Sequence, residues 1–320
     1  MTVKTECTAT AGRLQPTSRH RKNRTTLALL LLALPALIYL FVNNYIPMMG
    51  ILIAFKNLDF SKGIFRSEWC GLANFKYLFQ TKDAWIMTRN TVLYNLVFIV
   101  LGTVLSVMIA IFMCEILNKI WSKLFQSALV LPNLISMIVV AYIAFAFLSA
   151  DSGLINNSIL KPSGKETVSW YMESKYWPFI LTIIQLWKTA GYSSIVYIAS
   201  ISGIDRGLYE AARLDGAGKM RQIFDITLPM IRPTIIMMVL LSVGRIMSSD
   251  FGLFYQVPMN SGALYPTTQT IDTYVYRGLM QMQDFGMSSA AALYQSVVGF
   301  ILVLVCNGIT QKLSPDEALF

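Results

Sequence analysis

One stretch of the sequence, EAARLDGAGKMRQIFDITLP at residues 210–229, places acidic, basic and glycine residues between two apolar segments. The pair Gly218 and Lys219 raises the question of nucleotide phosphate binding, the chemistry of a P-loop. That motif needs G-x-x-x-x-G-K-[ST] after a strand. Arg213 stands where the first glycine belongs and Met220 where Ser or Thr belongs. The stretch is therefore not predicted to bind a nucleotide.

Acid–base, nucleophilic and metal chemistry have no better support in the sequence. The only histidine is His20, there is no H-E-x-x-H motif, and Glu210 with Asp215 lacks a nearby nucleophile or ligand set. The four cysteines are far apart and form no CxxC pair: Cys7, Cys70, Cys114 and Cys306. The sequence predicts neither a catalytic centre, nor a metal site, nor a disulfide framework.

Composition places these residues in a membrane protein. The 320 residues are 55% hydrophobic and 13% charged, with a mean hydropathy of +0.55, whereas about a quarter of the residues of a soluble domain are charged. The net charge of +9 would suggest nucleic acid in a soluble protein. Here the basic residues crowd the ends of apolar segments, where they set membrane topology. We therefore expect no nucleic-acid partner.

The sequence contains six apolar runs of roughly the 20 residues that a helix needs to cross a bilayer. The runs are residues 27–46, 90–113, 125–150, 177–201, 228–247 and 290–309. They predict an all-α, polytopic membrane protein with six transmembrane helices: a basic tail at 1–26, one six-span domain at 27–310 and a short tail at 311–320. The first run lacks an A-x-A cleavage site, so we expect it to remain as an anchor.

The Lys and Arg residues of the connecting segments predict that both termini and the 210–229 stretch are cytoplasmic. In that orientation the inner segments carry thirteen basic residues: Lys4, Arg13, Arg19, Arg21, Lys22, Arg24, Lys119, Lys123, Arg206, Arg213, Lys219, Arg221 and Lys312. The longer outer segments carry nine: Lys56, Lys62, Arg66, Lys76, Lys82, Lys161, Lys165, Lys175 and Arg277. The outer stretch at 71–85 alternates aromatic and charged residues, typical of either a short interfacial helix or a packed loop.

Local capping signals predict a helical elbow within residues 203–227. Asp205 can cap a short helix over 206–214, and Gly216 can adopt the left-handed conformation that ends it. A second helix over 219–226 leads to Pro229, a residue favoured in the first turn of a helix. The elbow connects the fourth predicted span to the fifth.

The first helix of this elbow has the composition of a docking surface. Ala211 and Ala212 leave one side almost bare, so another protein can approach closely, while Glu210, Arg213 and Asp215 supply polar contacts at the rim. An amphipathic loop lying on lipid headgroups is the alternative.

The elbow sequence resembles the EAA signature of the membrane subunits of ATP-binding-cassette importers. The matching pattern is Glu210-Ala211-Ala212, three residues, Gly216, nine residues, Ile226, one residue and Leu228-Pro229. GLANFKYLF before the second span, LPNLISMIVVAYIAFAFLSADSGLINNSIL across the third and QTIDTYVYRGLMQM before the sixth are similar to carbohydrate-importer permeases, in the branch of the maltose, glycerol-phosphate and complex-polysaccharide (LplB-type) first permeases. The large extracytoplasmic insertion of the maltose permease is missing.

The resemblance implies a type I importer permease of the MetI-like fold in a bacterial cell membrane. Two permeases would stand side by side, each seating its elbow on one subunit of a cytoplasmic ATPase dimer and receiving sugar from an extracytoplasmic binding protein. The chain would bind no cofactor and hydrolyse nothing, because ATP is bound by the partner ATPase. The resemblance gives the coupling role to Glu210, Ala211, Ala212, Arg213, Asp215 and Gly216.

Polar residues inside the spans indicate where a substrate could pass, because such groups generally face a cavity or a partner. Gln185, Lys188, Thr189 and Tyr192 recur at helical spacing in the fourth span. An ungapped alignment from Trp187 to Glu210 puts these residues on or beside positions that line the sugar site of the maltose permease. The outer end of the fifth predicted span adds Arg245, Ser248, Ser249 and Asp250. Hydrogen bonding between helices is the alternative for each residue, and it is the role expected of Asn95, Asn133 and Asn307.

Two cations near this path, Lys188 and Arg245, favour an acidic oligosaccharide as substrate. A neutral sugar, with Arg245 paired to Asp250, stays open. So do a permease for a different solute class and a secondary transporter. A secondary transporter usually shows inverted repeats or intramembrane acids, and neither is evident in this sequence.

Overall fold

The computed structural model describes residues 19–116 and 118–313, and most of this part of the chain is helical. The helices are α1 (Arg19–Leu40), α2 (Gly63–Arg66), α3 (Ala73–Gln80), α4 (Lys82–Cys114), α5 (Lys119–Leu134), α6 (Met137–Leu148), α7 (Trp177–Ser202), α8 (Arg206–Leu214), α9 (Lys219–Gln222), α10 (Leu228–Val243), α11 (Tyr265–Thr268), α12 (Ile271–Arg277) and α13 (Phe285–Leu313). Contacts divide the chain into a unit ending at Gly50 and a unit beginning at Ile51. The candidate site lies in the second unit.

Four described helical stretches are long and apolar enough to cross a membrane. They are Leu29–Phe55, Lys82–Cys114, Lys219–Val243 and Phe285–Lys312, and the pair Ile120–Leu134 and Met137–Leu148 adds a fifth if it counts as one bent span. Helix α7 coincides with the fourth predicted span but is less apolar, because Gln185 and Lys188 lie in its middle. A helix of this mixed polarity is expected to face a cavity or another helix on its polar side.

The prediction of one continuous third span was wrong. Helices α5 and α6 meet at an angle of 93°. Ile135 and Ser136 between them have extended backbone, with ψ of 130° and 142°. Pro132 in the last turn of α5 contributes to the break because it cannot donate a helical hydrogen bond. The apolar run contains no glycine or charge at this point, so its hydropathy gave no sign of the bend.

The predicted fifth span, 228–247, was wrong at its C-terminal end. Helix α10 begins at Leu228, as predicted, with Pro229 in its first turn, and it ends at Val243. The π-helical turn at Ile223–Thr227 joins α9 to α10, so the continuous helical stretch begins at Lys219. The polar residues assigned to the outer end of this span lie beyond α10, in a series of turns: Arg245, Ser248, Ser249 and Asp250.

The segment before α4 folds into short elements. Strand β1 (Lys56–Asn57) pairs antiparallel with β2 (Glu68–Trp69) and forms a two-stranded sheet. Of the two alternatives left open for 71–85, the segment is helical: α3 packs on α13 with Leu78 fully buried. Its place at a membrane interface stays a prediction.

The helices around the candidate site pack closely on α7. Helices α4 and α5 both pack on α7. Ser106 of α4 donates a hydrogen bond to the Ala190 carbonyl at 3.2 Å. An added Cβ on Gly191 would lie 2.0 Å from the Leu129 carbonyl oxygen, so α5 and α7 touch backbone to backbone. Helix α7 is thus held by close contacts with both α4 and α5.

Candidate functional site

The first arm of the elbow, α8, has a defined cap at each end. The Asp205 carboxylate accepts a hydrogen bond from the Gly207 amide at 3.0 Å. At the other end Gly216 has φ of +78°. Its amide donates to the Arg213 carbonyl at 3.1 Å, and the Ala217 amide donates to Ala212 at 2.8 Å, the two bonds of a Schellman cap. The prediction of a helix capped by Asp205 and ended by Gly216 is confirmed.

The second arm is α9 with the π-helical turn that follows it, and it continues into α10 without a break. One side-chain hydrogen bond ties the second arm to the turn between the arms, and a second joins the two arms directly. The Gln222 amide donates to the Ala217 carbonyl at 2.8 Å, and the hydroxyl groups of Tyr209 and Thr227 lie 2.9 Å apart. The elbow therefore holds its angle through contacts of its own.

An apolar cluster connects the elbow to three long helices. Tyr209, Ile226 and Leu228 pack against buried residues of α4, α7 and α10, which are Val107, Ala110, Tyr197, Ile201 and Ile231. A surface ion pair between Lys219 and Glu115 adds a contact to the end of α4. Because the cluster is buried and close-packed, a displacement of the elbow displaces the ends of these helices.

The outward side of the elbow is accessible. Of the six residues assigned to coupling, Ala212 is half-buried and the others are exposed: Glu210, Ala211, Arg213, Asp215 and Gly216. Three large apolar side chains are exposed beside them, with Leu214 at 90%, Met220 at 67% and Phe224 at 60% exposure. Apolar groups exposed on a turn outside the apolar runs are typical of a protein interface.

A cavity of about 470 Å³ lies between α4, α7 and the turns after α10. Its lining residues are Asn95, Phe98, Ile99, Gly102, Thr103, Ser106, Gln185, Thr189, Ser193, Tyr197, Met238, Ser242, Arg245, Ser248, Ser249 and Asp250. Six of the eight residues predicted for a substrate path are in this set, and the structure brings them together from two helical regions. Their contact with a substrate stays a prediction.

Gln185 lines this cavity and carries a buried hydrogen-bond acceptor without a described partner. Its Oε1 is buried, and it has no hydrogen-bond partner among the described residues. A buried oxygen without a partner is costly, so a ligand that donates a hydrogen bond would be favoured here. The Thr189 hydroxyl, by contrast, donates to the Gln185 backbone carbonyl at 2.7 Å.

Lys188 and Tyr192 are not among the lining residues. The Lys188 ammonium donates to the carbonyls of Pro132 and Asn133, at 3.3 Å and 3.1 Å, and to that of Ile135. Tyr192 is 56% exposed on α7. The face predicted from spacing therefore divides, because Gln185 and Thr189 point at the cavity while Lys188 points at the end of α5.

Arg245 and Asp250 both line the cavity but form no ion pair with each other among the described contacts. Arg245 is exposed and its side chain has no hydrogen bond within the described chain, whereas the Asp250 carboxylate accepts one from the Leu253 amide at 3.1 Å. Ser249 is held from outside the cavity by the Asp272 carboxylate, which accepts its amide at 2.6 Å and its hydroxyl at 2.8 Å. The guanidinium of Arg245 therefore remains available to an anion.

Sequence reasoning missed the α4 wall of the cavity. Asn95, expected only to join helices, donates to the carbonyls of Ile246 and Ser248 at 2.9 Å each and also lines the cavity. Thr103 and Ser106 continue the same wall. Small and polar residues at spacings of three and four along 95–106 were the signal that could have identified it.

Comparisons with known proteins agree with this architecture. Residues 83–315 match the family described as "Binding-protein-dependent transport system inner membrane component". The chain is 32% identical to Protein LplB of Bacillus subtilis over 91% of both chains. It is 31% identical to the polygalacturonan/rhamnogalacturonan transport system permease protein YteP of the same organism, over 90% of this chain and 89% of that one.

A solved structure has the same fold. It is described as a bacterial ABC transporter involved in the import of the acidic polysaccharide alginate, and one of its chains matches with a TM-score of 0.83 and 30% identity. The match covers 93% of this chain and all of the other. A second structure of an alginate transporter, in complex with a pentasaccharide-bound periplasmic protein, matches with the same TM-score of 0.83 at 29% identity, over 92% of this chain and 98% of that one.

Proposed function

Because the chain belongs to the family of binding-protein-dependent transport system inner membrane components, we propose that it is one permease of an ATP-driven importer of oligosaccharides. It provides half of the translocation path and couples that path to a cytoplasmic ATPase. A second permease, an ATPase dimer and an extracytoplasmic binding protein complete the transporter. ATP is bound and hydrolysed on the ATPase, not on this chain.

One observation carries the proposal: the exposed elbow is joined through a single apolar cluster to the helices that form the cavity. Tyr197 belongs to that cluster and also lines the cavity. Displacing the elbow therefore displaces the cavity wall. This continuity supports a transporter whose energy is supplied outside the transport path. In this proposal the elbow binds the ATPase and the cavity holds the substrate.

The elbow faces the cytoplasm in this proposal, as do both termini. The excess of Lys and Arg on the segments that share its side supports this orientation. In a cysteine-free background, Arg213→Cys would react with a membrane-impermeant maleimide only in inverted vesicles. Labelling in intact cells would reverse the orientation and remove the ATPase from reach of the elbow.

Docking of the ATPase is tested by placing a charged chain on the bare face of α8. We expect Ala211→Arg to abolish co-purification of the ATPase and ATP-dependent uptake, because the close approach is blocked. Ala263→Arg makes the same change at an exposed alanine far along the chain and should leave ATPase co-purification intact. Retention of the ATPase by Ala211→Arg would place the docking surface elsewhere.

The substrate we propose is an acidic oligosaccharide. Arg245 presents a free guanidinium to the cavity. Lys188 adds no positive charge to the cavity wall, because its ammonium group donates to backbone carbonyls at the bend between α5 and α6. Two relatives support the assignment by name, one a polygalacturonan/rhamnogalacturonan permease and one a chain of an alginate importer. The negative charge of Asp250 on the same wall repels an anion, so binding of an acidic sugar depends on the positive charge of Arg245.

Competing uptake of a uronate oligosaccharide and its carboxyl-reduced, neutral counterpart tests this assignment. We expect the acidic sugar to be preferred, and Arg245→Gln to raise its KM about tenfold with little effect on the neutral sugar, as a lost charged hydrogen bond would. Preference for the neutral sugar, unchanged by Arg245→Gln, would leave a neutral oligosaccharide as substrate. Transport of neither sugar would contradict the carbohydrate assignment itself.

A further inference from the structure

The break in the third span leaves backbone carbonyls without helical partners. The last carbonyls of any helix have no intrahelical donor, and in a bilayer each unpaired carbonyl costs several kcal/mol. Helix α5 ends at Leu134, and α6 departs from it at 93°. The Pro132 carbonyl accepts a hydrogen bond from the Ile135 amide at 3.3 Å, but no described backbone amide donates to the carbonyls of Asn133 and Ile135. The bend therefore needs a donor from elsewhere in the fold.

Lys188 of α7 supplies that donor. An ammonium group has three N–H donors, and here three carbonyls surround it: Pro132 at 3.3 Å, Asn133 at 3.1 Å, and Ile135. The positive charge also faces the C-terminal end of α5, where the helix dipole is negative. All the hydrogen-bonding capacity of the ammonium is thus directed at the bend.

The same bend meets the cavity on its other side. Met137, the first residue of α6, lies against Gly252, because an added Cβ there would be 2.9 Å from the Met137 Cβ. Gly252 follows the cavity residue Asp250 by two positions. On α7, the neighbours of Lys188 that line the cavity are Gln185 and Thr189. Lys188 therefore joins the two cavity walls through the bend.

We propose that Lys188 is a positioning residue of the transport path, which fixes the bend between α5 and α6 and so the placement of the Asp250 wall relative to Gln185 and Thr189. In this role the lysine acts on its own chain and makes no contact with the substrate. The transport test of this proposal rests on the proposed function, whereas the distance measurement does not.

The structural test is a distance measured between spin labels in the assembled, cysteine-free transporter. Tyr142 on α6 and Ile183 on α7 are exposed, at 65% and 67%, and accept labels without disturbing the core. We expect Lys188→Met, which keeps the length but loses every donor, to shift or broaden the distance distribution. Lys188→Arg keeps charge and donors and should restore a single narrow distribution.

Thr182→Val is the matched control, since it also removes a polar group from α7 whose only described bond, 2.7 Å to the Pro178 carbonyl, is internal to the helix. It should leave the distance unchanged. An unchanged, narrow distribution in Lys188→Met would overturn the proposal. If Lys188→Met does not reach the membrane, Lys188→Gln, which retains two donors, is measured by the same distance and the same criterion.

The transport test separates positioning from substrate contact. If fewer molecules hold the competent bend, the apparent affinity falls by that fraction, so we expect the KM of Lys188→Met to rise about tenfold for acidic and neutral sugars alike. Lys188→Arg should recover most of the loss. A KM change confined to the acidic sugar would make Lys188 a substrate contact and refute the positioning role. Failure of all variants and the wild type to transport sugar would contradict the proposed function, while the distance measurement would still decide this inference.

Discussion

The hydroxyl groups of Tyr209 and Thr227 lie 2.9 Å apart and join the two arms of the elbow. Eighteen residues separate them in the chain, and both arms also reach the long helices. This bond therefore adds to the apolar contacts of Tyr209 and Ile226, which also hold the two arms together.

Removing that bond is expected to weaken the coupling of ATP hydrolysis to sugar transport, while the ATPase stays bound. Tyr209→Phe and Thr227→Val each remove one hydroxyl, at a cost of about 1 kcal/mol, and the double variant should cost little more than either alone. The measurement is sugar transported per ATP hydrolysed. Thr227→Ser keeps the hydroxyl and should match the wild type. Additive effects of the two changes would mean that the hydroxyls act separately.

The left-handed cap at Gly216 should be sensitive to a methyl group for conformational reasons alone. Its φ is +78°, and nothing lies within 4 Å of an added Cβ. Gly216→Ala should therefore cost about 1 kcal/mol of elbow stability, seen as weaker ATPase binding. Gly218→Ala adds the same methyl in equally open space at a φ of −69°, and its effect should be close to zero. Equal effects would point to a steric contact with the ATPase instead.

Gly191 is predicted to tolerate no side chain, because its added Cβ would lie 2.0 Å from the Leu129 carbonyl oxygen. Both elements at this contact are backbone, so relief requires α5 and α7 to separate. We expect Gly191→Ala to lower the thermal midpoint of the purified complex strongly, or to prevent accumulation of folded protein. Gly308→Ala in α13 adds a methyl with nothing within 4 Å and should keep or raise the midpoint. A stable Gly191→Ala protein would show that the two helices pack less closely.

Gln185 is expected to show opposite effects on stability and on transport. Because its buried Oε1 has no partner among the described residues, Gln185→Leu should leave the stability of the empty protein unchanged or raise it by about 1 kcal/mol. The KM for sugar should rise about tenfold if a substrate hydroxyl donates to that oxygen. The measurements are thermal unfolding without sugar and uptake kinetics.

The matched comparison is Asn156→Leu, the same kind of change at a fully satisfied amide. Asn156 is completely buried, donates to Ala150 and Val168, and accepts from Trp170 at 3.0 Å. Asn156→Leu should destabilise the protein by about 3 kcal/mol or more, because it leaves the buried groups that Asn156 bonds without a hydrogen-bond partner. Equal destabilisation by the two variants would mean that Gln185 has a structural partner.

The parts of this molecule that the sequence predicted are those decided by neighbouring residues. Asp205 and Gly216 define α8 through bonds between residues only a few positions apart, so their types and spacing were sufficient. The long apolar runs likewise predicted where helices lie. The family signature in 210–229 then identified the elbow, although the coupling role of each residue in it stays a prediction.

Pro132 was a local sign of a break in the third span, but the 93° bend could not be predicted because the group that stabilises it is distant. Lys188 caps a carbonyl 53 residues earlier, and neither segment carries a sign of the other. For the same reason spacing put Lys188 and Gln185 on one face, while packing against α5 directed the longer side chain away from the cavity. The start of α10 at Leu228 was predicted, but its continuity with α9 through the π-helical turn at Ile223–Thr227 was not.

The bare methyls of α8 and the neighbouring Leu214, which is 90% exposed, also have a consequence for the life of the protein in the cell. In the proposed function the ATPase covers this patch, and a subunit made without its ATPase leaves it exposed. Exposed apolar surface favours aggregation and recognition by chaperones and proteases. We therefore expect the amount of permease in the membrane to follow the amount of ATPase available to cover the patch.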